Sequence, residues 1–206
     1  MITQEVKRKL IAILSADVKG YSRLMGEDEK GTLRTLNAYK DAMTGLIQHH
    51  HGRVVDAPGD NVLAEFASVV DAVECAVEIQ KELKTRNAEL PENRRMEFRI
   101  GINLGDVIEE GEKIFGDGVN IAARVQSLAD GGGICVSGTA FDQVENKLRL
   151  GYEYLGEQTV KNISKPVRVY RVMMEPEAAP SKGKMAFPLP DKPSIAVLPF
   201  VNMSDD

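Results

Sequence analysis

Cysteine is scarce in this chain of 206 residues: Cys75 and Cys135 are the only two. Both sit in apolar contexts, VECAVEI and GGICVSG, which suit buried thiols far better than a disulfide framework or a cysteine metal site. Also missing is any apolar run long enough for a signal peptide or a transmembrane helix, so the chain is expected to be cytoplasmic, with no membrane contact. Positive charge is not in excess. Lysine and arginine number 26 against 31 acidic residues, a formal net charge of -5 with the signs interspersed. No broad basic surface is available, so no nucleic-acid partner is expected, and a polyanionic substrate would have to be met by a local pocket and metal ions. What the chain does have is apolar material, 43% of its residues, enough at this length for a sizeable core in one domain.

Hydrophobic periodicity alternates between two and about 3.6 along the chain, which predicts an α+β fold. LIAIL (10–14) reads as a buried strand. Residues 28–50 read as a helix with Leu33, Leu36, Met43 and Leu46 on its apolar positions. GRVVDAPGDNVLAEF reads as two strands about a Pro58-Gly59 turn, proline setting the first turn dihedral and glycine the positive one. Helix 68–89 directs Val70, Val73, Val77 and Ile79 toward a core before Pro91 closes it. MEFRIGINLGDVIEE is expected to supply a strand pair. A helix over 117–129 stops at the GGG run, strand ICVS follows, and YEYLGEQTV and VRVYRVM complete the sheet. The expected architecture is a ferredoxin-like antiparallel sheet with helices packed on one face.

Two groups of residues carry chemistry. Asp17 ends the first strand and Asp60 lies in the hairpin turn that such a sheet would set beside it. An acidic residue at a strand end ordinarily caps a turn or helix, but two convergent carboxylates can hold a pair of magnesium ions. Asn120 and Arg124 stand one turn apart on a helix, where a polar pair ordinarily marks a solvated face. In GDGVNIAAR the small Ala122 and Ala123 are expected to allow close packing and leave Asn120 and Arg124 on the opposite stripe. His49, His50 and His51 read as a helix terminus, where cations suit the dipole.

LIAILSADVKGYSRL (10–24) and GDGVNIAARVQSLA (116–129) together resemble the catalytic domain of the class III nucleotide cyclases, a likeness running from about Lys9 to Met173. DVKGYS is similar to the family's DxxGF motif, with Tyr21 for phenylalanine, and GDGVNIAAR matches its VNxAAR signature. The resemblance implies the class III cyclase fold and two Mg2+ or Mn2+ ions per site held by Asp17, Asp60 and the Val18 carbonyl. It further implies an asparagine, Asn120, that orients the ribose and an arginine, Arg124, that stabilises charge on the α-phosphorus. Gly20, Tyr21 and the Ser22 hydroxyl could present donors to phosphate. Lys161 resembles a triphosphate-binding lysine, with Lys165 as the alternative. The family divides each site between two chains, so a homodimer acting on ATP is expected, with GTP as the alternative substrate.

At the base-reading pair the chain departs from that pattern. Adenylyl cyclases carry lysine and aspartate where this chain has Asp56 and Lys113, so the two types stand exchanged. One ammonium and one carboxylate can read the adenine edge from either side. Guanine selectivity, weak selectivity, a salt bridge across an empty pocket and two solvated charges all remain open. A non-catalytic nucleotide-binding or dimerisation module is the other class of function. A diguanylate cyclase would show a GGDEF-like turn, and none is present. Residues 1–174 are thus expected to be the catalytic domain, 175–193 a proline-rich linker, and 194–206, similar to the opening of TolB-like domains, the start of a truncated second domain.

Overall fold

The computed structural model describes residues 7–159 and 165–174. Lys161 and the segments expected to be a linker and a second domain lie outside the described residues. The first strand, β1 (Lys7–Val18), is longer than the LIAIL run and is buried on both faces from Ile11 to Ala16. Its even residues Ala12, Leu14 and Ala16 face one core, and its odd residues Ile11 and Ile13 face another. That two-sided burial explains why the sequence there is continuously apolar rather than alternating.

After Gly20 the chain forms a short helix, α1 (Tyr21–Glu27), and then α2 (Glu29–His49), whose N-terminus is capped by Asp28 accepting from the Gly31 amide. The single helix expected over 28–50 is therefore preceded by a second one. The hairpin β2 (Arg53–Asp56) and β3 (Val62–Phe66) leads to α3 (Val69–Ala88), capped by Ser68. The next strand, β4 (Phe98–Glu110), is unbroken over its 13 residues, so MEFRIGINLGDVIEE is one strand and not a pair. It pairs along its whole length with β1, from Lys7 opposite Glu109 to Val18 opposite Phe98, and this long ladder leaves no room for an internal turn. A short β5 (Lys113–Phe115) folds back on it, followed by α4 (Asp117–Ser127), β6 (Ile134–Ser137), α5 (Gly138–Val144), β7 (Gly151–Gln158) and β8 (Val167–Met173).

The strand order is β2-β3-β1-β4-β6-β8-β7 with β5 on β4. All pairings are antiparallel except β4 with β6, which is parallel, so the sheet is mixed. Helices cover both of its faces. Core residues of α2, α3 and α5 pack with Ala12, Leu14, Ile100 and Ile102, while Ala122 of α4 packs with Ile11 and Ile13 on the other side. The expectation of helices on one face fails because β1 is apolar in both registers and β4 presents Gly101 and Gly105 to a helix on its second face. Val73, Val77 and Ile79 are buried as expected, Val70 is half-buried, and Leu33 is 39% exposed. Cys75 and Cys135 are both buried and free.

Among the described residues no helix is long and apolar enough to cross a membrane.

Candidate active site

Asp17 is the penultimate residue of β1, on the face that α4 covers. Directly opposite it in the β1–β4 register stands Arg99. The guanidinium donates to both carboxylate oxygens, Nε to Oδ1 at 2.8 Å and Nη2 to Oδ2 at 2.6 Å, in a bidentate pair. The pair is only partly exposed, 25% for the Arg99 side chain and 20% for Asp17. The hydrogen bonds to Asp17 hold the Arg99 guanidinium above its ordinary pKa. Arg99 was not singled out from the sequence, although its position opposite Asp17 follows once β4 is read as one strand.

Asp60 arrives from the β2–β3 turn. Its Oδ2 accepts from the Val18 amide at 3.3 Å, which brings the second carboxylate to the residue that follows Asp17. The turn is closed by the Asn61 amide donating to the Pro58 carbonyl at 2.9 Å, with Gly59 at φ +57°. Pro58 therefore opens the turn and glycine takes its first central position, where proline was expected to set the dihedral. Two carboxylates and the neighbouring Val18 carbonyl are hard oxygen donors of the kind Mg2+ and Mn2+ take, with coordination left over for phosphate oxygens. The fit carries one condition: Asp17 must exchange Arg99 for the cation. Among the described residues no group of three or more acidic, histidine or cysteine side chains is placed to bind a metal.

Gly20, at φ +73°, is the left-handed residue that starts α1. Its conformation, more than any crowding, calls for glycine, since a Cβ there would meet nothing within 4 Å. Ser22 is exposed in the first turn, whereas the Tyr21 ring packs partly buried against the main core.

The α4 helix lies almost on the backbone of β4. A Cβ on Gly101 would stand 2.2 Å from the Gln126 amide nitrogen and 2.5 Å from the Ala122 carbonyl, and one on Gly118 2.9 Å from the Asp106 carbonyl. Two buried side-chain bonds fix the helix: Asn103 Nδ2 to the Gly118 carbonyl at 3.0 Å and Ser15 Oγ to Gln126 Oε1 at 3.0 Å. Ala122 is fully buried in this seat, but Ala123 is exposed beside Asn120 and Arg124. The close approach thus comes from glycines on β4 more than from the alanine pair, and the glycines of RIGINLG, at one-face spacing, were the readable signal. Asn120 and Arg124 both face away from the sheet, and among the described residues no hydrogen bond or ion pair joins either to Asp17 or Asp60.

The base-reading candidates are likewise apart. Asp56, half-buried at the end of β2, accepts from its neighbour's amide, Ala57, at 2.9 Å. Lys113 is exposed on β5, opposite Glu110 of β4, and it is Arg53, at the far end of β2, whose Nη1 reaches the adjoining Glu112 carbonyl at 3.0 Å. Three residues of strand, about 10 Å, separate Arg53 from Asp56, and no salt bridge between Asp56 and Lys113 is formed among the described residues. Lys165 is exposed. The histidine run ends α2, with His50 Nε2 2.6 Å from Glu78 Oε2 and His51 turning the chain at φ +60°.

With this geometry in place the chain can be set beside known proteins. The family described as the adenylate and guanylate cyclase catalytic domain matches residues 4–174. The chain belongs to that family. A Rhizobium meliloti (strain 1021) protein named "Putative adenylate cyclase 3" is 44% identical over 210 residues, covering 100% of this chain and 36% of its own length. The chain therefore spans about a third of that relative. The solved adenylate/guanylate cyclase/hydrolase of Silicibacter pomeroyi is 38% identical with a TM-score of 0.77, over 82% of this chain and 99% of that one. The guanylyl cyclase Cya2 is 27% identical with a TM-score of 0.70, over 82% and 94%. The mixed sheet with helices packed on it is the class III cyclase fold, and the domain is a cyclase, a phosphorus–oxygen lyase by class.

Proposed function

We propose that this cyclase domain, residues 1–174, converts ATP to 3′,5′-cyclic AMP and pyrophosphate at a site shared by two copies of the chain. The observation that carries the reading is the Val18–Asp60 hydrogen bond, which gathers Asp17, the Val18 carbonyl and Asp60 at one end of β1. Asp17, Asp60 and the Val18 carbonyl would hold two Mg2+ or Mn2+ ions. Bound there, the cations would neutralise triphosphate charge and lower the pKa of the ribose 3′-hydroxyl. Asn120 orients the ribose so that this hydroxyl is in line with the α-phosphorus. Arg124 offers a guanidinium fork to the charge that develops on the α-phosphoryl oxygens as pyrophosphate leaves. Ser22 and the main chain at Gly20 and Tyr21 add donors to phosphate oxygens, and Lys161 supplies a further cation.

The outward stripe of α4 supports the shared site: Asn120 and Arg124 face solvent in one chain and would serve the carboxylates of a partner. In this reading base choice rests on the exchanged pair Asp56 and Lys113. The name of the 44% identical relative favours ATP; the exchanged pair and the likeness to a guanylyl cyclase give GTP as the second reading. Purified protein incubated with ATP or GTP and either Mg2+ or Mn2+, with products resolved chromatographically, tests both. Cyclic AMP with pyrophosphate is expected. A folded protein that makes neither cyclic nucleotide would instead be a binding or dimerisation module.

A further inference from the structure

Lys40 lies in the middle of α2 and has been given no role so far. Its ammonium donates to the carbonyl of Ala57 at 2.8 Å and to that of Gly59 at 2.5 Å. These carbonyls flank Pro58 in the turn that carries Asp56 on one side and Asp60 on the other. The turn has few other restraints. Ala57, Pro58 and Gly59 are exposed, and the β2–β3 register shifts between Val54 and Asp56, so only the Asp56–Leu63 pair of the ladder adjoins the turn. Apart from the 3.3 Å bond that Asp60 Oδ2 accepts from the Val18 amide, its remaining bonds are local, Ala57 N to Asp56 Oδ1 and Asn61 N to the Pro58 carbonyl, both at 2.9 Å.

We propose that Lys40 is a positioning residue of this active site, its ammonium clamping two carbonyls of the 57–60 turn so that Asp60 is held at the end of β1 before a cation arrives. The type of side chain suits the task. A lysine reaches the turn from a helix on a flexible stem, carries three donors, and brings positive charge beside two carboxylates that would otherwise repel each other. Burial pushes its pKa down while Asp60 and Asp56 draw it up, so the ammonium sits in the field of both. The role rests on the reading of Asp60 as a metal ligand, but the clamp on the turn is independent of it.

The test compares Lys40→Met, which keeps the stem and removes the charge, with Lys40→Arg and with Asp60→Asn. Amide hydrogen exchange over residues 57–61 is followed in the metal-free protein, and the Mn2+ concentration for half-maximal turnover is measured at saturating nucleotide. Loss of two charge-assisted bonds should speed exchange in the turn about tenfold and raise the half-saturating Mn2+ about tenfold, with Lys40→Arg restoring most of both. Unchanged exchange and unchanged Mn2+ dependence in folded Lys40→Met overturns the proposal. Faster exchange with normal Mn2+ dependence keeps the clamp and overturns its role in the site. If Asp60→Asn itself leaves Mn2+ dependence untouched, the metal reading of Asp60 fails, and the exchange arm still decides the clamp. Should Lys40→Met not fold, the neutral Lys40→Gln is judged by the same two readouts.

Discussion

Replacing Asp17 by asparagine should damage stability and turnover together, while Asp60→Asn should damage turnover alone. The difference lies in what each carboxylate holds in the nucleotide-free chain. Asp17 accepts two parallel bonds from Arg99 at 2.8 and 2.6 Å, and the two side chains are only 20–25% exposed. Hydrogen bonds to charged groups contribute roughly 1.5–3 kcal/mol when sheltered and exposed ion pairs about 0–1 kcal/mol, so a quarter-exposed pair falls at about 1–2 kcal/mol. In a chain of this size that corresponds to a melting temperature lower by roughly 2–8 °C. Asp60 accepts a single 3.3 Å bond from Val18, which an asparagine oxygen can keep, so its cost should stay below about 0.5 kcal/mol. Thermal and urea unfolding of the parent, Asp17→Asn, Arg99→Gln and the double variant give the coupling directly, about 1–2 kcal/mol if the pair is real. A coupling energy of zero refutes the ion pair. Turnover by either Asp→Asn variant should fall at least about a hundredfold, and near-normal turnover from a folded one refutes the carboxylate metal site.

Mixing inactive Asp17→Asn with inactive Arg124→Ala should restore activity, because one of the two sites in the mixed dimer carries neither lesion; no recovery despite proven subunit exchange would place the site within one chain. If Asp56 and Lys113 read the base, Lys113→Ala and Asp56→Ala should each shift the ATP-to-GTP ratio of kcat/KM toward GTP by roughly 1–3 kcal/mol, and the exchange Asp56→Lys with Lys113→Asp should recover it. Unchanged ratios in both single variants remove them from base selection. Gly101→Ala should abolish or severely weaken folding, by about 3 kcal/mol or more, since its Cβ meets α4 main chain and not a movable side chain; a normal melting temperature would show that α4 can lift. Burial pushes the Cys75 thiol up to about 12 and that of Cys135 to about 11, from 9.0 when unfolded. The unfolded chain then loses protons that the folded one keeps, so stability is whole below pH 9 and declines as pH rises through about 11 and 12. A urea midpoint that stays flat from pH 8.5 to 11 contradicts this.

Most of the sheet could be read from the sequence because β1 and β6, buried on both faces, are too apolar for anything but a central strand, while β3 alternates buried Val62, Ala64 and Phe66 with half-buried Leu63 and Glu65. What escaped had physical reasons. The seven-residue helices α1 and α5 are too short for a helical period to show, and only caps mark them, Gly20 for the first and Ser137, whose hydroxyl accepts from the Ala140 amide, for the second. β4 is one strand and not the expected pair because it follows β1 along the whole ladder, where Gly101 and Gly105 on a shared face admit a helix. At the site, Asp17, Asp60, Asn120 and Arg124 were legible as residue types in motifs. Arg99 and Lys40 were not, because each acts across 17 residues or more of chain: Arg99 meets Asp17 through strand register and Lys40 meets the 57–60 turn through the packing of α2.

The seat of α4 has a mechanical consequence. Where most helices rest on a cushion of interleaved side chains that neighbours can compress or repack, this one rests main chain on main chain at Gly101 and Gly118. The height of its outward stripe above the sheet is therefore set chiefly by the bulk of peptide groups, which repacking of side chains elsewhere does not change. Drift in the surrounding core can loosen or stiffen the domain, but the level at which Asn120 and Arg124 are presented depends on Gly101, Gly105 and Gly118 staying glycine.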